Sequence, residues 1–436
     1  MFIEENAESL MDKNVEDLLS KELSDRRIFL DKRVLSPHYV PKELPHREKE
    51  ITDVTRTIAP VLRNEKPSNL FIYGKTGTGK TCVVKYVMRK LNEFVQDPKK
   101  NINNAVVRSV YVNCKIRDSK YKVLLKVLED PSLNDPTLKD VPLRDRAHSK
   151  GLMGIEPSEL YDRLFNVVEK NGMNLIIILD EIDMVRKGLD DLMYILTRIN
   201  DDLSSGNVSI IGMSNDMRVM RRMDPRSKST LCEEEMIFKP YNALQLRSIL
   251  KQRVEKGFQP GVIDDAIISR IAAFAAQDGD ARYALRLLQK AGEIAVEKNS
   301  SKVLQEHVEE AKKRVEEDII AEAISTLPEH HQVVLYALSL LVSCGGFYRR
   351  LNDVGDGDFL TGEVYEAYEN CCKKLGLRPR TTRQFSDYIN ELEMLGLIIT
   401  RSSGKGQRGN TRFIRLGYSP KEVKKIVEKS LGISTI

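Results

Sequence analysis

The sequence lacks the closely spaced cysteines and histidines of a zinc site. Its six cysteines contain no C-x-x-C pair, and its six histidines contain no H-x3-H pair. Zinc sites are usually assembled from such closely spaced thiolate and imidazole ligands. The sequence therefore predicts no zinc site, and its cysteines are typical of the reduced thiols of an intracellular protein.

The sequence also lacks a segment that would direct it into or across a membrane. Its first ten residues include acidic side chains and have neither the basic start nor the apolar stretch of a signal peptide. The longest apolar run, Val333 to Cys344, has about a dozen residues, whereas a membrane helix requires roughly 20. We expect this run to be a buried helix in a cytoplasmic protein without a membrane partner.

The chain has little excess charge of either sign. Its 69 basic and 64 acidic residues give a net charge of +5, which does not by itself indicate a nucleic-acid partner. Local clustering of charge must decide that question. With 436 residues, of which 41% are hydrophobic, the chain is too long for one compact core, and we expect two or three globular domains.

Apolar runs that resemble strands alternate with helical patterns between Ser68 and Met236. The four runs read NLFIY, AVVRSVYVN, NLIIILD and VSIIGMS. Near-continuous apolar runs of this kind are typical of a parallel sheet that is buried on both faces. The charged, irregular stretch 115–157 is interpreted as an insertion. From Phe238 onward the pattern is almost wholly helical, which predicts a small helical lid.

A glycine-rich loop follows the first of these strands. It reads GKTGTGKT, fits the pattern G-x-x-x-x-G-K-[ST], and precedes an amphipathic helix. Its glycines allow backbone N–H groups to close around the phosphates of ATP or ADP at a helix N-terminus. Lys80 is expected to reach the β- and γ-phosphates, and Thr81 to bind Mg2+. The alternative is a chance match on a turn. The predicted nucleotide-binding residues of the loop are Gly74, Lys75, Thr76, Gly77, Thr78, Gly79, Lys80 and Thr81.

Polar side chains follow two later strands. Asp180 and Glu181 end the run NLIIILD, and Asn215 follows VSIIGMS. We expect Asp180 to hold the metal ion and Glu181 to polarise the attacking water. Asn215 is expected to hold that water or to sense the γ-phosphate, provided that its strand lies beside the strand of Asp180. Taken alone, each of these residues is also compatible with an ordinary turn.

The C-terminal third has the helix order of a DNA-binding module. Three helical stretches are followed by two β-like runs around a Gly/Ser-rich turn, which matches the wing of a winged-helix fold. The third helix is predicted to be amphipathic through Phe385, Ile389, Leu392 and Leu395.

Basic residues cluster around the third helix and the wing, and no acidic residue occurs between Glu393 and Glu422. Such a surface suits duplex DNA phosphates. The alternative is a winged helix that binds protein and has a solvated basic loop. The predicted DNA-binding residues are Arg378, Arg380, Arg383, Arg401, Lys405, Arg408, Arg412 and Arg415.

Taken in order, these segments resemble the AAA+ ATPases and, within them, the archaeal replication initiators related to the origin recognition complex and the cell-division-cycle loading factor. The resemblance rests on RVLSPHYVPKELPHREKEI, NLFIYGKTGTGKT, IIILDEID, IIGMSND, MDPRSKSTL, FKPYNALQLRSILKQR and GDARYAL. These motifs extend from Arg33 to Leu285, and the family also has a C-terminal module of the kind described above.

The resemblance implies roles that spacing alone does not supply. Arg226 is similar to the arginine that completes a neighbouring subunit's ATP site in trans, and Arg282 to the lid arginine that senses nucleotide. Tyr39 and Val40 resemble the adenine-contacting segment, and core packing is an equal alternative for a tyrosine between prolines. The 115–157 insertion has the position of an extra helix that meets DNA in relatives, but several prolines interrupt it, and a surface loop is an equal alternative.

The resulting expectation is an α/β P-loop AAA+ domain with a helical lid, followed by an α+β winged-helix domain. The predicted boundaries are a flexible segment 1–28, a base domain 29–237, a lid 238–325 and a winged helix 326–436.

The function implied by the resemblance is a nucleoid-associated replication initiator that uses slow ATP hydrolysis as a switch. Its expected partners are origin duplex DNA, the replicative helicase and related initiator subunits. The alternatives are a nucleotide-regulated winged-helix transcription factor and a remodelling ATPase of the clamp-loader kind.

Overall fold

A computed structural model gives the structure of the protein. The residues that it describes are 27–37, 39–142, 154–185, 188–216, 218–219, 223–225, 228–229, 233–345, 357–402 and 412–433. The chain divides into two compact units, of which the first ends at Ala311 and the second begins at Lys312. None of the helices in the described ranges could serve as a membrane span.

The first unit contains a five-stranded parallel sheet, as the apolar runs predicted. Its order is β2-β3-β4-β1-β5. Successive residues of one strand enter opposite cores, so that Phe71 packs on one face and Ile72 on the other. Both faces of the sheet are therefore buried. The strands are β1 Leu70–Tyr73, β2 Val106–Asn113, β3 Met173–Asp180, β4 Asn207–Ser214 and β5 Glu234–Ile237.

Five helices accompany this sheet in the described residues, and together they form the base. They are α1 Glu48–Ile58, α2 Lys80–Gln96, α3 Lys120–Leu128, α4 Pro157–Asn171 and α5 Leu189–Asp202. Helix α3 lies in the predicted insertion and buries Val123, Leu124 and Leu128 in the core of the base. This part of the insertion is thus a packed helix, and it precedes the proline-interrupted stretch from Asp130, for which the extra helix and the surface loop both stay predictions.

The lid is helical, as predicted. Helix α6 starts with a capping box in which Asn242 and Gln245 satisfy each other's backbone N–H groups, and α8 is capped by Asp280. These caps define where the lid helices begin. The helices are α6 Ala243–Gly257, α7 Asp265–Ala275, α8 Ala281–Glu297 and α9 Gln305–Ser325, and the division between the two units falls within α9.

The segment 27–37 packs on the lid although it precedes the base in sequence. The Phe29 and Phe258 ring centroids are 4.9 Å apart, and the Leu30 N–H donates to the Gly257 carbonyl over 2.9 Å. Ile28, which was predicted to lie in a flexible segment, is almost fully buried. The neighbouring aromatic pair and the Gln259 N–H, which donates to the Ile28 carbonyl over 3.0 Å, hold this residue against the lid.

The second unit has the winged-helix arrangement. Its three-stranded antiparallel sheet has the order β6-β8-β7. The apolar run from Val333 lies in a buried helix, as predicted. The elements are α10 Glu329–Cys344, β6 Phe359–Leu360, α11 Thr361–Lys374, α12 Thr382–Met394, β7 Ile398–Ser402, β8 Arg412–Leu416 and α13 Pro420–Leu431.

Helix α12 corresponds to the third predicted helix. Phe385, Ile389 and Leu392 are buried, whereas Leu395 is 57% exposed. The helix ends at Met394, so Leu395 lies just beyond it and its side chain does not join the buried face. The predicted apolar stripe is therefore right for three positions and wrong for the fourth.

Candidate nucleotide site and winged-helix surface

The glycine-rich loop joins β1 to α2. At two of its positions, Gly77 and Gly79, the backbone conformation and the close neighbours leave no room for any other residue. Gly77 has φ +72° and Gly79 has φ +91°, a left-handed region that other residues rarely adopt. A Cβ atom on Gly77 would lie 1.7 Å from the Asp280 carboxylate, and one on Gly79 would lie 2.7 Å from the Tyr241 hydroxyl. The loop backbone can therefore approach the lid only with glycine at both positions.

Lys80 is the first residue of α2, and its ammonium is buried. Its Nζ donates to the Gly74 and Lys75 carbonyls over 2.6 and 3.0 Å and to Asn215 Oδ1 over 2.8 Å. Burial lowers the pKa of Lys80 to about 8, and the nearby Asp180 carboxylate opposes that shift. An anion placed here would compensate for the lost hydration of the ammonium, which suits the site to phosphate.

Asp180 ends β3 beside the loop. Its Oδ2 accepts from the Thr81 hydroxyl over 2.8 Å and from the Tyr111 hydroxyl over 2.6 Å. A threonine hydroxyl next to a carboxylate is the hard-oxygen set that Mg2+ prefers, and Mg2+ retains several waters rather than requiring an all-protein cage. The two side chains predicted to hold Mg2+ are therefore adjacent, and their chemistry fits that ion.

Glu181 has an unusual conformation. Its φ is +55°, and its buried Oε2 has no hydrogen-bond partner among the described residues. Burial, followed by the neighbouring Asp180 carboxylate, raises the pKa of Glu181. A strained backbone and an unpaired, more basic carboxylate are typical of a residue that accepts a proton during a reaction.

The sheet order explains why these side chains meet. Asp180, Asn215 and the glycine-rich loop follow the neighbouring strands β3, β4 and β1, and the carboxyl ends of parallel strands open at one edge of a sheet. The lid contributes Arg282 to the same cleft, and Tyr39 and Val40 also line it. Arg226 lies outside the described residues.

Three polar residues of this region were not predicted. Arg47 and Arg253 line the cleft, and Arg253 donates through Nη1 to the Val34 carbonyl over 3.0 Å, with its guanidinium 4.9 Å from the centroid of the Tyr39 ring. Tyr111 holds the Asp180 carboxylate. Arg47 occurs in the motif LPHREKEI, which also contains its partner Glu50, but nothing in that motif indicates its other partners, because they are distant in sequence.

The basic surface of the winged helix includes an aspartate that is distant from the wing in sequence. Asp358, which is only 6% exposed, accepts from Arg415 Nε over 2.7 Å and also from Arg401. Arg412 donates to Asn390 Oδ1 over 2.7 Å. The wing is free of acids along the chain between Glu393 and Glu422, but the fold brings Asp358 to two of its arginines. Lys405 and Arg408 lie outside the described residues.

The start of α12 also has a defined polar arrangement. Arg380 Nε donates to His330 Nε2 over 3.1 Å, and the Tyr368 hydroxyl lies 2.8 Å from His330 Nδ1. Because an arginine Nε only donates, His330 is neutral with its proton on Nδ1. Burial and the Arg380 charge lower the pKa of His330. The other predicted DNA contacts at this helix are Arg378, which precedes α12, and Arg383, which is its second residue.

We expect Arg380→Ala to raise the pKa of His330 toward its ordinary value. The change removes both a charge that opposes protonation and the donor that Nε2 accepts from. The measurement is a histidine-ring NMR titration of the full chain. His307, whose pKa is lowered by burial within the first unit, serves as the internal control and should not move. An unchanged His330 midpoint would contradict the contact.

The fold and the cleft define a P-loop ATPase of the AAA type that has a C-terminal winged helix. Three family models match the chain: an AAA ATPase domain over residues 43–211, a Cdc6 AAA+ ATPase-type lid domain over 247–313, and the CDC6 C-terminal winged-helix domain over 322–426.

Curated relatives match almost the whole chain. The ORC1-type DNA replication protein of Thermococcus kodakarensis is 44% identical over 417 residues, covering 95% of this chain and 94% of the relative. That of Thermococcus onnurineus is 42% identical over 429 residues, covering 98% and 97%. The chain belongs to the family of ORC1-type DNA replication proteins.

A solved structure is similar to both units. The Aeropyrum pernix ORC1 protein in complex with DNA is 38% identical, has a TM-score of 0.76, and covers 92% of this chain and 97% of its own. The expected resemblance to archaeal replication initiators is confirmed.

Proposed function

We propose that this protein is an ATP-regulated DNA replication initiator that binds origin duplex DNA and helps to load the replicative helicase. The observation that carries the proposal is the convergence of Lys80, Thr81, Asp180 and Glu181 in one cleft of a chain that also has a basic winged helix. Its relatives are named as DNA replication proteins, and one similar structure is a complex with DNA.

The side chains of the cleft have complementary roles in this proposal. The backbone N–H groups of the loop and the Lys80 ammonium bind the phosphates, and Lys80 also holds Asn215 over 2.8 Å. Glu181 accepts a proton from the attacking water. Thr81 and Asp180 hold Mg2+, which supplies positive charge against the phosphate oxygens.

Arginines complete the proposed site. Arg282 on the lid contributes positive charge that senses bound nucleotide, and Arg226 acts in trans on the site of a related initiator subunit. An isolated chain lacks that second arginine, so its hydrolysis is expected to be slow. ATP then serves mainly as a switch between nucleotide states.

The winged helix supplies the proposed DNA contacts. Arg378, Arg380 and Arg383 at the start of α12 and the basic residues of the wing neutralise phosphates, which positions the protein on the duplex. Such an initiator works in the nucleoid of the cytoplasm. We also retain the predicted boundaries 29–237, 238–325 and 326–436 as the functional base, lid and winged helix.

We expect Asp358→Asn to strengthen binding to a duplex of arbitrary sequence by roughly threefold at low salt, because it removes a negative charge and releases Arg401 and Arg415 to phosphates. The plot of log Kd against log salt should also become steeper. Fluorescence anisotropy across a salt series measures both quantities.

The control for this change is Glu393→Gln, which removes one negative charge near β7 without releasing an arginine, since Glu393 accepts from Thr400. Its affinity should change less than that of Asp358→Asn. Weaker DNA binding by Asp358→Asn would show instead that Asp358 holds the two arginines in a DNA-contacting arrangement.

Genome-wide mapping of the DNA bound in cells tests the proposed function. Peaks confined to replication origins and dependent on Lys80 support an initiator. Peaks at regulated promoters would assign the chain to transcription. An absence of specific peaks, together with fast DNA-stimulated ATP turnover in a closed oligomer, would assign it to the remodelling ATPases.

A further inference from the structure

Arg47 is a buried cation that lines the cleft but was not among the predicted site residues. It is the N-cap residue of α1, and it is only 4% exposed. Its guanidinium lies 4.0 Å from the centroid of the Tyr241 ring and 5.3 Å from that of Phe238. Aromatic faces on a guanidinium favour its charge but do not satisfy its N–H groups. Its hydrogen bonds therefore decide what this residue does.

Each nitrogen of the Arg47 guanidinium has a partner. Nε and Nη2 both donate to the Thr78 carbonyl, over 3.1 and 2.8 Å, and Nη1 donates to Glu50 Oε1 over 2.7 Å. Nε also donates to the Tyr241 hydroxyl over 3.0 Å, and Nη2 to the Lys239 carbonyl over 2.7 Å. Burying a guanidinium is costly unless it is hydrogen-bonded, and all three nitrogens of this one donate to protein oxygens.

The forked contact to Thr78 has a stereochemical consequence. In a planar trans peptide the C=O and the following N–H point in opposite directions. Arg47 holds the Thr78 carbonyl on the side of the peptide that faces α1 and Lys239, a residue between β5 and α6. The N–H of Gly79 is therefore directed to the other side of that peptide. Gly79 is the N-cap residue of α2, where N–H groups have no helical partner and bind phosphate.

We propose that Arg47 is a positioning residue for nucleoside di- and triphosphates, because it fixes the Thr78–Gly79 peptide in the orientation that presents the Gly79 N–H to a phosphate. This inference rests on the proposed nucleotide binding. A lysine at position 47 keeps the charge but has no rigid fork, so it cannot hold one carbonyl through two nitrogens.

The test compares ADP with adenosine in Arg47→Lys, using the full chain. We expect the Kd for ADP to rise more than about tenfold, while the Kd for adenosine, measured by ligand-observed NMR, stays within error. Arg56→Lys is the matched control, since it is the same change at an exposed position of α1. Its ADP affinity should equal that of the wild type.

A second measurement follows the peptide itself. The amide resonance of Gly79 should shift strongly on adding ADP to the wild type and much less in Arg47→Lys. Equal ADP affinity in the two proteins would overturn the proposal, and so would a parallel loss of ADP and adenosine, which would indicate a general structural role. Failure of the wild type to bind ADP would instead refute the proposed function.

Discussion

Replacing Lys80 with alanine is expected to weaken ATP and ADP binding about 100-fold, which corresponds to about 3 kcal/mol at the upper range of a charged hydrogen bond. Lys80 is the only cation in the described residues that donates to the Gly74 and Lys75 carbonyls and to Asn215. Its removal takes away the ammonium that is proposed to bind phosphate and also releases Asn215. Isothermal titration with ADP and a non-hydrolysable ATP analogue measures the loss.

The control is Lys90→Ala, which removes the same charge from the same helix. Lys90 is exposed and pairs with Glu93, outside the cleft. Its nucleotide affinity should match that of the wild type. The melting temperature of nucleotide-free Lys80→Ala should be recorded as well, because a collapsed loop would also lose affinity. A folded Lys80→Ala protein with unchanged ADP affinity would show that the cleft does not bind phosphate through this lysine.

Replacing Glu181 with glutamine is expected to reduce ATP turnover by roughly 10²–10⁴-fold, the usual contribution of a general base. Glutamine has nearly the same shape but cannot accept the proton. Binding of ATP should be retained, because Glu181 Oε2 has no hydrogen-bond partner in the described residues and the phosphate-binding loop is untouched. Single-turnover hydrolysis and titration of the ATP analogue separate the two effects.

Asp191→Asn serves as the matched carboxylate control, since Asp191 lies on α5 and is largely exposed. We expect its turnover to equal that of the wild type. If Glu181→Gln hydrolyses ATP at the wild-type rate, Glu181 is not the base and its buried, strained conformation has another cause. If it loses ATP binding together with turnover, its role is structural rather than chemical.

Much of the base could be predicted from sequence because its signals are local. The four apolar runs became β1 to β4, and the loop from Gly74 to Thr81 adopts the strand–loop–helix arrangement that its pattern indicated. Asp180 lies against Thr81, and Asn215 lies against Lys80. These short segments specify their own backbone conformation. The order of the motifs along the chain indicated the remaining features of the base.

Other features could not be predicted, because they depend on contacts between distant segments. Leu395 continues the periodic pattern of α12 yet lies beyond the helix end. The packing of Phe29 on Phe258 places an N-terminal segment on the lid. The periodic pattern of one helix and the number of charges do not indicate which distant segment will pack against it.

By itself, the sequence determined the glycine-rich loop and the acidic pair Asp180 and Glu181, since these depend on residue types at short, fixed spacings. It also determined the presence of a winged helix, since the helical and β-like patterns of that module are local. Only the tertiary structure decided that Arg47 holds the loop peptide, that Tyr111 holds Asp180, and that Asp358 neutralises part of the wing. The physical reason is that a hydrogen bond requires two groups to meet. For these pairs, strand order and packing bring the groups together, while the residues lie tens of positions apart in the chain.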